Sequence, residues 1–410
     1  MVDFAVSEEV EAISEAICRF IEQVVVPLEE RNAALLSNER TIFDHTGRYV
    51  PEVLALRRQV RERSAGEGFY TMFGAAELGG GGLGAEAAVA VQMLLARRYG
   101  PGRHLIHHVV IPSPFTNGLS PVLRFLDPRV RERVLPAIAS GARTLCFALS
   151  EPDAGSDAQA IRTVAVRSGD GWALTGTKQW ITNSPYADYA VIFAQVEDAG
   201  PDERSGITAF FAETASPGFD VTGVIPLMGH AGGDTGIVVL DGLKVPDANR
   251  MGGIGDGLSV AMSGINAGRL GMAATCIGYA EWALARACDY ARTRRSFGRP
   301  IGEHQAIQTH LADTAMDIYA AKTMLANCAW QVDRGSAARG EVAMVKCFAT
   351  EMLSRSMDRC IQVHGAMGLT NELRLEAGYR FARIMRIPDG TGEMQRRTVA
   401  QELLRDNLVL

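Results

Sequence analysis

The sequence predicts an α+β protein: helices first, then an antiparallel β-barrel or sandwich domain, then an antiparallel helical bundle. Three observations predict it. Helix-start signals and 3.6-residue apolar spacing mark the first third. Short β-rich runs broken by Gly, Pro, Asn and Asp fill the middle, with no long helical pattern between them. Long Ala/Leu-rich stretches joined by short loops occupy the rest. The boundaries fall at 1–145, 146–256 and 257–410.

In the first domain, Ser7-Glu-Glu-Val-Glu reads as a capped helix start with acids in its first turn. Val10, Ile13, Ile17, Phe20 and Ile21 follow at helical spacing. Pro51 opens a second helix. A third runs from 85 to 99, and a fourth covers 121–139 with an interruption at Asp127-Pro128. Gly79-Gly-Gly-Gly-Leu-Gly84 lacks a preceding strand and Gly-x-Gly-x-x-Gly spacing, so it reads as a flexible turn before a helix, not a phosphate cradle. Arg103-His-Leu-Ile-His-His108 has no Cys, Asp or Glu set beside it, so its histidines read as pocket or surface residues and no metal site is expected.

The β runs are 144–150, 160–166, 189–195, 206–212 and 236–240. The helical stretches after them are 258–292, 303–334, 339–365, 373–386 and 393–407.

Composition narrows the function. At 410 residues, 47% hydrophobic and 21% charged, the chain is long enough for two or three cores. The net charge is -6 and no Lys/Arg block stands out, which argues against a nucleic-acid partner. The seven scattered cysteines never fall as Cys-x-x-Cys and read as free thiols of a reducing, cytoplasmic compartment. The N-terminus lacks the pattern of a secretory leader, and no apolar run reaches the ~18 residues of a membrane span.

Two motifs carry chemistry. Ala148-Leu-Ser-Glu-Pro-Asp-Ala-Gly-Ser-Asp157 follows a β run, and Ser150, Gly155 and Ser156 offer hydroxyls and unhindered N–H groups to a ring edge or a pyrophosphate. Leu174-Thr-Gly-Thr-Lys-Gln-Trp-Ile-Thr-Asn183 places Trp180 and Thr182 on one side of a strand, where an indole can pack on a planar cofactor. Taken separately, the first is equally an ordinary polar turn and the second ordinary core packing. Near the C-terminus, Pro388-Asp389-Gly390 is a turn signal that isolates one carboxylate.

In this order the motifs closely resemble the acyl-CoA dehydrogenase family. Arg294-Arg-Ser-Phe-Gly-Arg-Pro-Ile-Gly-Glu-His-Gln-Ala-Ile307, Gln362-Val-His-Gly-Ala-Met-Gly368 and Asp389-Gly-Thr-Gly-Glu-Met-Gln-Arg396 continue the resemblance. It implies an α-helical domain, a β domain and a C-terminal four-helix bundle, with FAD between the last two. It assigns Phe147, Leu149, Ser150, Trp180 and Thr182 to the isoalloxazine, and Gly155 and Ser156 to the pyrophosphate or the acyl-CoA. Arg294, Ser296, Phe297, Gln305, Gln362 and Gly365 would meet the adenine end of a flavin shared with a second subunit, hence a homodimer or homotetramer. Thr391 and Glu393 join the cofactor set, and Asn266, Arg269 and Gly390 the substrate side. Arg269 reads equally as a partner for a helix acid.

The implied reaction is α,β-dehydrogenation of an acyl-CoA thioester to a 2,3-enoyl-CoA. Asp389 would remove the α-proton, flavin N5 would accept the β-hydride, and electrons would leave to an electron-transferring flavoprotein. An aspartate, whose carboxyl ordinarily titrates near ~3.9, needs desolvation to serve as this base.

The family's usual base is glutamate. Asp389 shortens the reach by about 1.5 Å, and Pro388 removes a donor beside it. The surrounding residues resemble a subgroup that carries aspartate there. A nitroalkane-oxidase-like flavin oxidase or monooxygenase, and a silent acyl-CoA-binding protein, stay open beside the dehydrogenase.

Overall fold

A computed structural model describes residues 7–197 and 205–408. The first six residues, on which part of the leader reading rests, lie outside them. The chain divides into two compact units, one built from the described parts of Met1–Phe20, Gly84–Arg103 and Asn266–Leu410, the other from Ile21–Leu83 and His104–Ile265.

The helical boundaries follow the sequence signals. Ser7 Oγ accepts from Val10 N at 3.3 Å and starts the helix Glu8–Phe20. Helices Pro51–Gly66 and Ala85–Tyr99 lie where expected. A 3-10 turn, Pro121–Phe125, precedes the helix Pro128–Ala139, whose N-cap Asp127 accepts from Arg129 N at 2.9 Å. The glycine run ends at the helix Ala85–Tyr99, but it is packed tightly. A Cβ on Gly80 would lie 2.2 Å from the Gly74 carbonyl oxygen.

In the first unit, the helices Gly257–Thr293 (from Asn266 onward), Gln305–Asp333, Arg339–His364, Leu375–Met385 and Gly392–Leu404 surround one core. Ile277, Ala280, Ala283, Leu325, Met352 and Met357 are buried in it. Small residues on the long helix let Ala85–Tyr99 join this core through Val89 and Ala96. At Gly278 even a Cβ would approach the Met93 carbonyl to 2.3 Å. That contact explains why a helix from the first third of the chain belongs with the bundle.

The second unit holds an eight-stranded sheet in the order β6-β7-β3-β2-β4-β5-β8, with β1 against β4. The strands are β1 Leu145–Ala148, β2 Val164–Ser168, β3 Gly171–Thr182, β4 Tyr189–Val196, β5 Gly206–Glu213, β6 Phe219–Val224, β7 Thr235–Pro246 and β8 Arg250–Met251. Pairing is antiparallel except for β1 with β4 and a single β2–β4 contact, Val164 with Gln195. The near-continuous apolar runs of β4 and β5 arise because both faces are covered. Val191, Phe193 and Phe211 pack with Val130, Val134 and Ile138, whereas Ile192 and Phe210 pack with Trp172, Leu240 and Val245.

Candidate active site

The sheet unit gathers the first two motifs. β1 ends at Ala148, and the loop after it runs beside the end of β3. Gln179 N donates to the Ser150 carbonyl at 3.0 Å. Lys178 Nζ donates to the Leu149 carbonyl at 3.1 Å and pairs with Glu151 Oε1 at 2.7 Å. Glu151 also accepts from Thr163 Oγ1 at 2.6 Å and from the backbone N of Arg162 and Thr163. Burial would raise the Glu151 carboxyl, but the Lys178 and Thr163 hydrogen bonds hold it below its ordinary range. Burial lowers Lys178 to about 8, with Glu151 opposing. Both residues lie inside the two motifs, yet no local pattern gives either a role.

This clamp sets the presentation of the other residues. Phe147 is half-buried against Phe193 and Phe115, with ring centroids 4.8 and 5.4 Å away. Leu149 and Ser150 are half-buried, and Gly155 and Ser156 are exposed. A Cβ at Gly155 would meet nothing within 4 Å. A bulge between Lys178 and Ile181 puts Trp180 at φ 65°. Its side chain is 52% exposed, Ile181 is 2% exposed and Thr182 is exposed. Trp180 and Thr182 thus lie on the open side of Ile181, as the period-2 reading expects, although that period does not reveal the bulge. A large aromatic held at positive φ with half its surface open is a strained feature of the kind that collects at ligand sites. The open indole, the adjacent hydroxyl and the unobstructed Gly155 backbone suit a flat heteroaromatic ring and a phosphate ester.

The helical unit carries the acid. Asp389 has φ 57° and Gly390 φ 92°, so two successive residues adopt the left-handed region. Three donors hold the turn by its carbonyls. Arg269 Nε donates to Asp389 O at 2.9 Å, and Lys346 Nζ to Gly390 O at 2.7 Å. Gln395 Nε2 donates to both oxygens at 3.0 Å. Arg269 Nη1 also donates to Asn266 Oδ1 at 3.2 Å. The Asp389 carboxylate makes no hydrogen bond or ion pair to the described residues. Burial pushes it up to about 6, against the pull of Arg269 and then Lys346. An unbonded carboxylate with a raised pKa has the chemistry to accept a proton near neutral pH.

Lys346 and Gln395, 0% and 1% exposed, were not identified from sequence. The signal for Lys346 was a lysine in the run Val342-Ala-Met-Val-Lys-Cys-Phe348, since lysine is rarely buried without a purpose. The next helix begins on this turn: Thr391 Oγ1 accepts from Met394 N at 3.4 Å, and Glu393 is exposed in the first helical turn.

The remaining assigned residues lie elsewhere in the same unit. Arg295–Ser296 and Arg299–Pro300 form a two-stranded ribbon whose turn, Phe297-Gly298, has φ 50° and 81°. Phe297 is 95% exposed, and Arg294, Ser296 and Gln305 are exposed around it. Exposed Gln362 and Gly365 close the helix Arg339–His364, with Gly365 at φ 59° donating its N–H to the Gln362 carbonyl. In the sheet unit, His104 is half-buried and lowered to about 4 by burial, and His108 sits at φ 58°.

The chain is similar to known proteins over most of its length. Residues 146–243 match the family pattern for the acyl-CoA dehydrogenase middle domain, and 255–404 that for the acyl-CoA dehydrogenase C-terminal domain. The human mitochondrial short-chain specific acyl-CoA dehydrogenase is 34% identical over 93% of this chain and 92% of its own. The caffeyl-CoA reductase-Etf complex subunit CarC of Acetobacterium woodii is 34% identical over 85% and 90%. A solved structure, the FAD complex of PigA, superposes with a TM-score of 0.83 at 25% identity, covering 98% of this chain and 99% of that one.

Proposed function

Since this chain belongs to the acyl-CoA dehydrogenase family of oxidoreductases, we propose that it is an FAD-dependent enzyme that converts an acyl-CoA thioester to the 2,3-enoyl-CoA, with Asp389 as the base. The observation that carries this reading is the unbonded Asp389 carboxylate on a turn fixed through its backbone. Bound FAD supplies the two-electron acceptor for the β-hydride. The protein residues do the rest. Asp389 takes the α-proton at its carboxylate, which desolvation makes basic enough for the task. The Arg269, Lys346 and Gln395 bonds keep the carboxylate from drifting during proton transfer. Trp180 and Thr182 offer the ring-facing surface, with Phe147, Leu149 and Ser150 on the neighbouring loop.

The finer elements belong to the same proposal. Asp389 in place of glutamate puts the chain in the aspartate-bearing subgroup. The exposed Phe297 hairpin, with Arg294, Ser296, Gln305, Gln362 and Gly365, serves a flavin shared across a homodimer or homotetramer. Electrons pass to an electron-transferring flavoprotein, a partnership supported by the name of the Acetobacterium relative. The seven free cysteines support a reducing, cytoplasmic setting. No helix among the described residues is long and apolar enough to cross a membrane.

The test is an anaerobic titration of the FAD-loaded protein with saturated acyl-CoAs of varied length and branching. Bleaching of the flavin's visible band by one class identifies substrate and reaction together. No bleaching by any acyl-CoA, or rapid turnover with air and no dye, counts against the dehydrogenase.

A further inference from the structure

Lys346 has an arrangement that ordinary packing does not explain. Its side chain is fully buried on the helix Arg339–His364. The ammonium donates to the neutral Gly390 carbonyl at 2.7 Å and makes no ion pair among the described residues. A buried charge so sparsely compensated is costly, and a methionine would fill the same space without that cost. The cost falls beside a second one, since Asp389 at φ 57° is in a conformation that side chains disfavour. The two occur together because the left-handed turn aims the Asp389 and Gly390 carbonyls at Arg269, Lys346 and Gln395. The donors are spent on the backbone, and the carboxylate is left open.

We propose that Lys346 is a positioning residue for the base: its ammonium anchors the Gly390 carbonyl, holds the Asp389-Gly390 turn left-handed, and stabilises the ionised carboxylate from nearby without bonding it. The inference rests on Asp389 being the base. The charged and titratable groups facing Lys346 are Asp389, Arg269, Cys276 and Cys347. Burial pushes Cys276 up to about 12 and also raises Cys347, so both stay thiols near neutrality. Burial lowers Lys346 to about 8, and Asp389 opposes that shift most. The turn therefore works best between the ionisation of Asp389 near 6 and the discharge of Lys346 near 8.

The experiment is the pH dependence of anaerobic flavin reduction by an active acyl-CoA, in FAD-loaded wild type, Lys346→Met and Lys346→Arg, with FAD content and melting followed in parallel. In wild type the rate rises through a limb near pH 6 and falls through one near pH 8. In Lys346→Met the upper limb disappears, the acid limb moves up by about one pH unit, and the maximal rate falls about tenfold or more, with FAD retained. Lys346→Arg keeps the charge and leaves the acid limb in place. If Lys346→Met keeps both limbs and changes only its melting, Lys346 is a packing residue and the proposal fails. Should that variant not fold, the wild-type profile decides, because absence of a limb near pH 8 also overturns it. Asp389→Asn separates the two levels. Continued flavin reduction in that variant defeats the assignment of the base, whereas a dead Asp389→Asn beside an unchanged Lys346→Met defeats only this inference.

Discussion

Replacing Asp389 by asparagine is expected to stabilise the folded protein at neutral pH. Burial raises this carboxyl from 3.8 to about 6, so its ionised form is disfavoured in the folded state relative to the unfolded chain. Below pH 3.8 the group is protonated in both states and contributes nothing. Between 3.8 and about 6 the unfolded chain releases its proton first, and stability falls as the pH rises. Above that window the full cost applies, on the order of 3 kcal/mol from the size of the shift. Asp389 keeps some solvent contact, so about 3 kcal/mol is an upper bound. Asparagine tolerates the left-handed backbone as well as aspartate does, and the three donors contact only backbone carbonyls at this turn. Unfolding of the FAD-loaded wild type and Asp389→Asn, followed at pH 7 and again near pH 4, measures the effect. The variant should be the more stable at pH 7 and lose that advantage at the lower pH. A variant no more stable than wild type at pH 7, or a difference that ignores pH, would refute the reasoning.

Two other substitutions probe the rest of the site. Lys178→Met leaves Glu151 buried without its cation and should cost about 3–5 kcal/mol of stability, with loss of FAD because the Leu149–Glu151 loop loses its anchor. Melting and the flavin-to-protein absorbance ratio check it, and full FAD retention would show that the clamp does not serve the cofactor. Phe297→Ala removes a 95% exposed side chain, so melting should change by no more than about 0.5 kcal/mol. FAD retention on dilution should nonetheless fall, and unchanged retention would sink the reading of this hairpin as a cofactor arm.

Local features were legible in the sequence and long-range ones were not. Prolines, caps and apolar periods located Pro51–Gly66, Pro128–Ala139 and the bundle helices to within a few residues, because those signals act over one or two turns. Gly390 and Asp389 were expected in a turn, and the turn is there, but the positive φ at Asp389 and the carbonyl bonds from Arg269 and Lys346, 120 and 44 residues away, leave no local signal. The parallel pairing of β1 with β4 and the bulge at Trp180 depend on strands distant in sequence, and no local pattern reports them. Nor did a helical pattern over 85–99 reveal that its small-residue partners lie near Gly278.

The most direct test of the central claim is anaerobic rapid mixing of FAD-loaded wild type and Asp389→Asn with a saturated acyl-CoA that bleaches the wild-type flavin. The variant should retain FAD and bind the ligand, seen as a perturbed flavin spectrum, yet show no reduction on the wild-type timescale. Bleaching of the variant at the wild-type rate would contradict the assignment of Asp389 and place the base on another residue.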